Sequence, residues 1–242
     1  MKKRRVTVRF FMVLLAVLVA GAVLFNEEGS AQADGKKWVR RYNGPGNSGD
    51  GAYAIAVDRS GNVYVTGYSV GLGTYRDYAT IKYSSTGKQL WVKRYNGPGN
   101  GDDYAYAIAV DRSGNVYVTG YSTGSGTGYD YATIKYSSSG KELWVKRYNG
   151  PGNNGDYAFA MAVDSSGNVY VTGYSVGSGT YRDYATIKYS STGKQLWVKR
   201  YNGPGNGDDY AFAVAVDSSN NVYVTGYSTG SGTGYDYATI KY

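Results

Sequence analysis

Hydrophobic and polar positions between Trp38 and Tyr242 follow one order, and that order returns every 53 residues. The second copy shows it best. Ala105–Val110 is apolar and small, Asp111-Arg112-Ser113-Gly114 interrupts it, and Asn115–Tyr121 then alternates Val116 and Val118 with Tyr117 and Thr119. Period-two alternation rich in β-branched and aromatic residues predicts strands, here named A and B, joined by a tight turn. Strand C is predicted over Asp130–Tyr136, where Ala132 and Ile134 alternate with Thr133 and Lys135, and strand D over Lys141–Tyr148. Asn96–Asp103 and Ser122–Tyr129, rich in Gly, Asn and Ser, read as long D–A and B–C loops, and Ser137–Gly140 as a second short turn. Strand B has no strongly polar face, which predicts cover from both sides.

The A–B hairpin occurs four times, at Ala54–Tyr68, Ala107–Tyr121, Ala160–Tyr174 and Ala213–Tyr227. One tryptophan marks each unit: Trp38, Trp91, Trp144 and Trp197. The A–B turn carries Gly61, Gly114 and Gly167, with Asn220 in the fourth copy, the side chain that best tolerates positive φ after glycine. Strand D comes last in each unit, yet Trp38–Asn43, WVRRYN, precedes the first strand A, and the last unit stops at strand C. The expectation is an all-β chain of four 53-residue, four-stranded blades over residues 34–242, with the N-terminal strand completing the last blade of a ring. Two closures satisfy the count. One chain makes a four-bladed ring, or two chains exchange their first strands in an eight-bladed one, which makes a homodimer the second expectation.

Composition adds the compartment. Five basic residues lie within Met1–Arg9, Phe10–Phe25 is apolar almost throughout, and Ala31-Gln32-Ala33 follows. This three-part pattern predicts a secretory signal peptide over residues 1–33, with the mature protein outside the cytoplasm or in the periplasm and without a membrane span. Removing that segment lowers the formal net charge from +8 to +5, too mild for a nucleic-acid-binding face. Cysteine and histidine are both missing, which excludes disulfides and thiolate or imidazole metal sites.

The motif AxAVDxSGNVYVTGYS, then DYATIKY, then a tryptophan-bearing strand, resembles the bacterial SBBP β-propeller repeat, and its AVDSSGNVYV core is similar to NHL-type blades. The resemblance spans Trp38–Tyr242. It implies a propeller with strand A innermost, and secretion or surface display. It implies no common activity.

The long loops share one rim of such a propeller. Their residues are the candidate ligand set: Tyr75, Arg76, Asp77, Tyr129, Asp130, Tyr181, Arg182, Asp183, Tyr235 and Asp236 from the B–C side, and Asp102, Asp103, Asp208 and Asp209 from the D–A side. Flat tyrosine faces beside carboxylates and guanidinium groups suit a carbohydrate or a polar protein ligand. The paired aspartates offer oxygen ligands to calcium, but EF-hand spacing is missing, so no cofactor is expected. Asp58, Asp111, Asp164 and Asp217 precede the A–B turn and are read as turn caps. The strand-D doublets, Lys146-Arg147 and its equivalents, are read as charges guarding an outer edge. Nearly every titratable group occurs four times in like surroundings, so no catalytic constellation stands out. The chain is therefore read as a non-catalytic binding module, with a purely structural scaffold or a carboxylate-based polysaccharide hydrolase or lyase as alternatives.

Overall fold

A computed structural model describes residues 37–242. The secretory segment expected over residues 1–33 lies outside them. Residues Trp38–Tyr242 form one unit built only of strands and turns. The first sheet contains β1 (Asp50–Val57), β2 (Val63–Val70), β3 (Arg76–Tyr83) and β4 (Gln89–Tyr95). The second contains β5 (Asp103–Val110), β6 (Val116–Thr123), β7 (Tyr129–Tyr136) and β8 (Glu142–Tyr148). The third has β9 (Asp156–Val163), β10 (Val169–Val176), β11 (Arg182–Tyr189) and β12 (Gln195–Tyr201), and the fourth β13 (Asp209–Val216), β14 (Val222–Thr229) and β15 (Tyr235–Lys241). Each sheet is an antiparallel meander in chain order. This is the propeller blade expected from the alternation, with strand boundaries within two residues of those read from the sequence.

The tight turns have the expected chemistry. Gly61, Gly114 and Gly167 sit at φ of 76°, 78° and 78°, and Asn220 takes the same role at 63°. The preceding aspartates cap these turns. Asp111 Oδ1 accepts from Ser113 N and Asn115 N at 2.9 Å, and its Oδ2 accepts from Asn115 Nδ2 at 2.8 Å and Tyr117 Oη at 3.0 Å. Burial alone would raise this carboxyl; the bonds from Asn115, Tyr117 and Ser113 outweigh it and hold the group below its usual range.

The core lies between the blades. Tyr64 and Tyr78 of the first blade are buried with Ala105, Val116, Val118, Ala132 and Ile134 of the second, and equivalent clusters fill the next two junctions. Both faces of an inner blade are therefore covered, as the apolar strand B predicted. Burying side chains such as Val118 and Ile134 contributes about 1.5–3 kcal/mol each. The buried tyrosine hydroxyls are satisfied across the same junctions: Tyr78 donates to Ala132 O at 3.1 Å and Tyr131 to Ala185 O at 3.1 Å. The tryptophans bridge blades too, with Trp91 Nε1 donating to Ser138 O at 3.2 Å and its ring lying between Tyr64 and Tyr136.

Each inner strand carries a β-bulge that leaves one residue without a partner on the next strand: Tyr53, Tyr106, Phe159 and Phe212. A bulge re-aims the extra side chain. Here the four rings contact one another from blade to blade, at centroid distances of 4.8, 5.8 and 5.3 Å. The glycine opposite each bulge, such as Gly120, allows the inner-strand carbonyl of Tyr104 to approach its Cα more closely than any side chain permits.

Closure of the single chain by its first strand is not what the structure shows. The fourth sheet has three strands, and Trp38–Asn43 is extended but pairs with no strand among the described residues. It lies instead on the first blade, with Trp38 Nε1 donating to Ser85 O at 3.2 Å and Arg40 Nε to Gly87 O at 2.7 Å. Strand β5 packs on β1, β2 and β3, β9 on the second blade and β13 on the third, so the blades succeed one another along an arc. The aromatic rings at the bulges fill the space between inner strands.

Candidate functional site at the long-loop rim

The rim residues fall into two groups. Asp77, Asp130 and Asp183 are only 4% exposed and belong to a polar layer inside each blade. In the second blade this layer runs Asp103, Ser122, Asp130 and Arg147 across the four strands, and Ser122 is paired with both aspartates. Arg147 binds Asp130 Oδ2 at 2.8 Å, Ser122 Oγ at 2.6 Å and Ser122 O at 2.8 Å, and reaches Tyr95 Oη of the preceding blade at 3.0 Å. Arg94 and Arg200 hold the same layer in the first and third blades. The second residue of the doublets in β4, β8 and β12 is thus an internal counter-ion rather than an edge guard. Its alternation with Trp144 and Val145 on a seven-residue strand left its direction open in the sequence.

Asp103 and Asp209 are fully buried and cap the D–A loop. Asp103 Oδ2 accepts from Gly97 N at 2.7 Å and Oδ1 from Thr123 N at 3.0 Å. Its neighbour Asp102 faces the other way, toward Arg76. The paired aspartates therefore serve separate partners and do not converge on a common point.

The second group faces outward at the junctions. Arg76 of the first blade binds Asp102 of the second, Nη1 to Oδ2 at 2.9 Å, and its guanidinium lies over the rings of Tyr68 and Tyr104 at 5.5 and 5.8 Å. Tyr104 Oη points to Asp102 Oδ2 at 3.4 Å. Burial, then the Asp102 charge, pushes the Tyr104 phenol up to about 12, so it remains a donor at neutral pH. The set recurs between the third and fourth blades, where Arg182 binds Asp208 at 2.7 Å and Tyr210 Oη at 3.0 Å, and lies 5.3 Å over Tyr174. Between the second and third blades Tyr129 stands where Arg76 would, and Gly155 where Asp102 would. That junction is aromatic: Tyr121, Tyr129 and Tyr157 contact one another at 4.4–5.4 Å.

Beside the first ionic junction opens a cleft of about 300 Å³, lined by Tyr75, Gly101, Asp102, Thr123, Gly128 and Tyr129. Tyr75 is 66% exposed and offers an open ring face; Tyr181 and Tyr235 are as exposed at the second ionic junction. Sequence reasoning brought Tyr75, Asp102 and Tyr129 together only as members of one rim. It missed Thr123, Tyr68 and Tyr104, because strand positions beside a loop carry no mark that they turn toward it. A cleft of about 430 Å³ opens at the opposite rim, between Asp111, Lys135, Asp164 and Ser191. Its polar groups are engaged in the fold: Lys135 Nζ donates to Ser191 O at 3.0 Å, and both aspartates cap their own turns.

The SBBP beta-propeller repeat matches residues 37–72, 90–126, 143–179 and 196–232, more than half of the chain. The chain belongs to the SBBP beta-propeller repeat family. Each matched repeat begins at the tryptophan-bearing strand, so Trp38–Asn43 is the first strand of a family repeat. The chain is also 25% identical, over 64% of its length, to an uncharacterized WD repeat-containing protein of Acanthamoeba polyphaga mimivirus, and spans 14% of that protein. Among solved structures, it is similar to a fucose lectin from Kordia zhangzhouensis in complex with methyl-fucoside, at 16% identity and a TM-score of 0.34, covering 62% of this chain and 99% of the lectin. It is likewise similar to a eukaryotic initiation factor at 9% identity and a TM-score of 0.34, covering 74% of this chain and 49% of the other. No helix among the described residues is long and apolar enough to cross a membrane.

Proposed function

We propose that this SBBP propeller is an exported, non-catalytic binding module whose long-loop rim takes a neutral saccharide. One observation carries the reading: an exposed tyrosine, an Arg–Asp pair and two further tyrosines recur at the first and third junctions, and a recess open to solvent lies beside the first of them. Tyrosine faces stack on the apolar face of a sugar ring, and Asp102 and Arg76 present an acceptor and donors to its hydroxyls. The cleft volume lies at the lower end of small-ligand sites, which fits one or two sugar units. The export pattern of the first 33 residues would place the module where cell-surface and environmental glycans occur.

Calorimetric titration of the protein with a panel of neutral mono- and oligosaccharides tests this. The expected result is two equivalent sites per chain, both lost in the Tyr75→Ala/Tyr181→Ala variant while the fold is kept. Failure of every saccharide in the panel to bind, or binding that survives both substitutions, would overturn the assignment.

A further inference from the structure

We infer that Asn154 is a site of self-modification, where the side-chain amide closes on the backbone nitrogen of Gly155 and hydrolyses to aspartate or isoaspartate. An asparagine followed by glycine suits this chemistry, because glycine has no Cβ to hinder the approach of its nitrogen. The chain holds seven such bonds, all in the D–A loops. By sequence they are equivalent. The fold divides them into three kinds.

The first kind is locked. The amides of Gly44, Gly97, Gly150 and Gly203 donate to the carboxylates of Asp50, Asp103, Asp156 and Asp209 at 2.6–2.8 Å. To attack, such a nitrogen must first lose its proton, and negative charge would then develop against a carboxylate. The asparagines before these glycines are engaged as well: Asn96 Nδ2 donates to Asn100 Oδ1 at 2.7 Å, and the other three repeats keep the same bond. That bond also restrains the second kind, Asn100–Gly101 and Asn206–Gly207, by holding each asparagine through its Oδ1.

Asn154–Gly155 is the third kind. It occurs only in the third repeat, where the others have Ser48, Gly101 and Gly207. Asn154 is exposed, and among the described residues no other asparagine accepts from the nitrogen of the residue that follows it. Gly155 N lies 2.8 Å from Asn154 Oδ1, so the nucleophile already rests against the carbonyl it attacks. The step needs only water and hydroxide. Hydroxide takes the Gly155 amide proton, the nitrogen bonds to Asn154 Cγ, and the Cγ–Nδ2 bond breaks. Nδ2 takes a proton from water and leaves as ammonia. Water then opens the cyclic imide at either carbonyl, and nothing is oxidised or reduced. The product carboxylate stands one residue before the place that Asp102 holds in the ionic junction. Gly128, which lines the rim cleft, lies against the same bond: a Cβ there would be 3.6 Å from Asn154 C and from Gly155 N. The modification therefore brings negative charge to the aromatic junction at the wall of that cleft.

Peptide mapping of aged protein tests the site. The full chain is incubated folded at pH 7 and pH 9, then digested with trypsin. Arg41, Arg94, Arg147 and Arg200 precede the four loops and place them on separate peptides. Fragment masses should show Asn154 converting about tenfold or more faster than Asn100 and Asn206, with Asn149 on the same peptide slower still. Conversion should be faster at pH 9, and its products should resolve as aspartyl and isoaspartyl forms. In concentrated urea the rates should converge, because the contacts that separate the seven bonds are gone. Asn154→Ser, which installs the residue of the first repeat, should abolish the early acidic form on ion exchange. Conversion of Asn100, Asn149 or Asn206 as fast as Asn154 in the folded protein, the same ranking in urea, or an early acidic form that survives Asn154→Ser would overturn the inference. The readout is the mass and charge of the chain itself, so failure here and failure of saccharide binding are separate results.

Discussion

Asp156→Asn should make the protein more stable at neutral pH. Asp156 is completely buried at the start of the third blade. Its Oδ2 accepts from Gly150 N at 2.6 Å, while Oδ1 is buried beside Ser175 and the Val176 amide without a well-formed hydrogen bond. Burial, with a smaller push from the Asp130 charge, outweighs the hydrogen bonding from Gly150, Ser175 and Val176 and raises the carboxyl from 3.8 to about 6. The native state therefore holds the proton more tightly than the unfolded chain. The sign follows: Asp156 carries no penalty below about pH 4, a growing one as pH rises toward 6, and a constant one above. Some two units at about 1.36 kcal/mol each amount to about 3 kcal/mol at pH 7. Asparagine keeps the acceptor for Gly150 N and removes the charge. Its amide needs a new acceptor, so the expected net gain is about 1–3 kcal/mol. Urea unfolding of wild type and variant at pH 3.5, 5 and 7, at one fixed protein concentration, gives the comparison. The variant should gain at pH 7, gain less at pH 5 and gain nothing at pH 3.5. An advantage that does not change with pH, or a variant less stable at pH 7, would refute the reasoning.

Two further outcomes follow from the same structure. Arg147→Met should cost about 3–5 kcal/mol in thermal or urea unfolding, because it strands Asp130 and Ser122 inside the blade. Gly114→Val should cost about 1–3 kcal/mol, since φ is 78° there and a Cβ would lie 3.2 Å from Ser138 Cβ, whereas Asn220→Gly should shift the melting transition hardly at all.

The repeat, the strands and the turns were legible because each has a local cause: alternation, a glycine or asparagine at positive φ, an aspartate two residues before the amides it caps. What stayed hidden depends on direction across a sheet. Arg147 reads as one more surface charge until strand C is laid beside strand D and shows Asp130 waiting for it. The bulge at Tyr106 hides for a related reason. Ala-Tyr-Ala looks like ordinary alternation, and only the register with β6 shows that Tyr106 faces no partner and turns toward its neighbours in the adjoining blades. Closure was not legible because counting strands supplies connectivity but not how far each blade turns from the last. The rim was found as a set but not divided, since burial separates Asp77 from Arg76 although they are adjacent in sequence.

The exposed ion pairs bear on function for a reason of magnitude. Arg76 and Asp102 keep 44% and 24% of their side-chain surface in solvent, and Arg182 and Asp208 keep 43% and 22%. Pairs so open contribute about 0–1 kcal/mol to stability. The aromatic junction between the second and third blades holds without any such pair, so blade stacking does not require one. The two pairs stand beside the exposed tyrosines, where a sugar would need both a donor and an acceptor. Arg76→Ala with Arg182→Ala should therefore move the unfolding midpoint little, by about 1 kcal/mol or less per site, while saccharide binding in calorimetric titration falls below detection. If the double variant instead unfolds early and the residual folded protein binds sugar as before, the pairs are struts between blades and the rim is not the binding face.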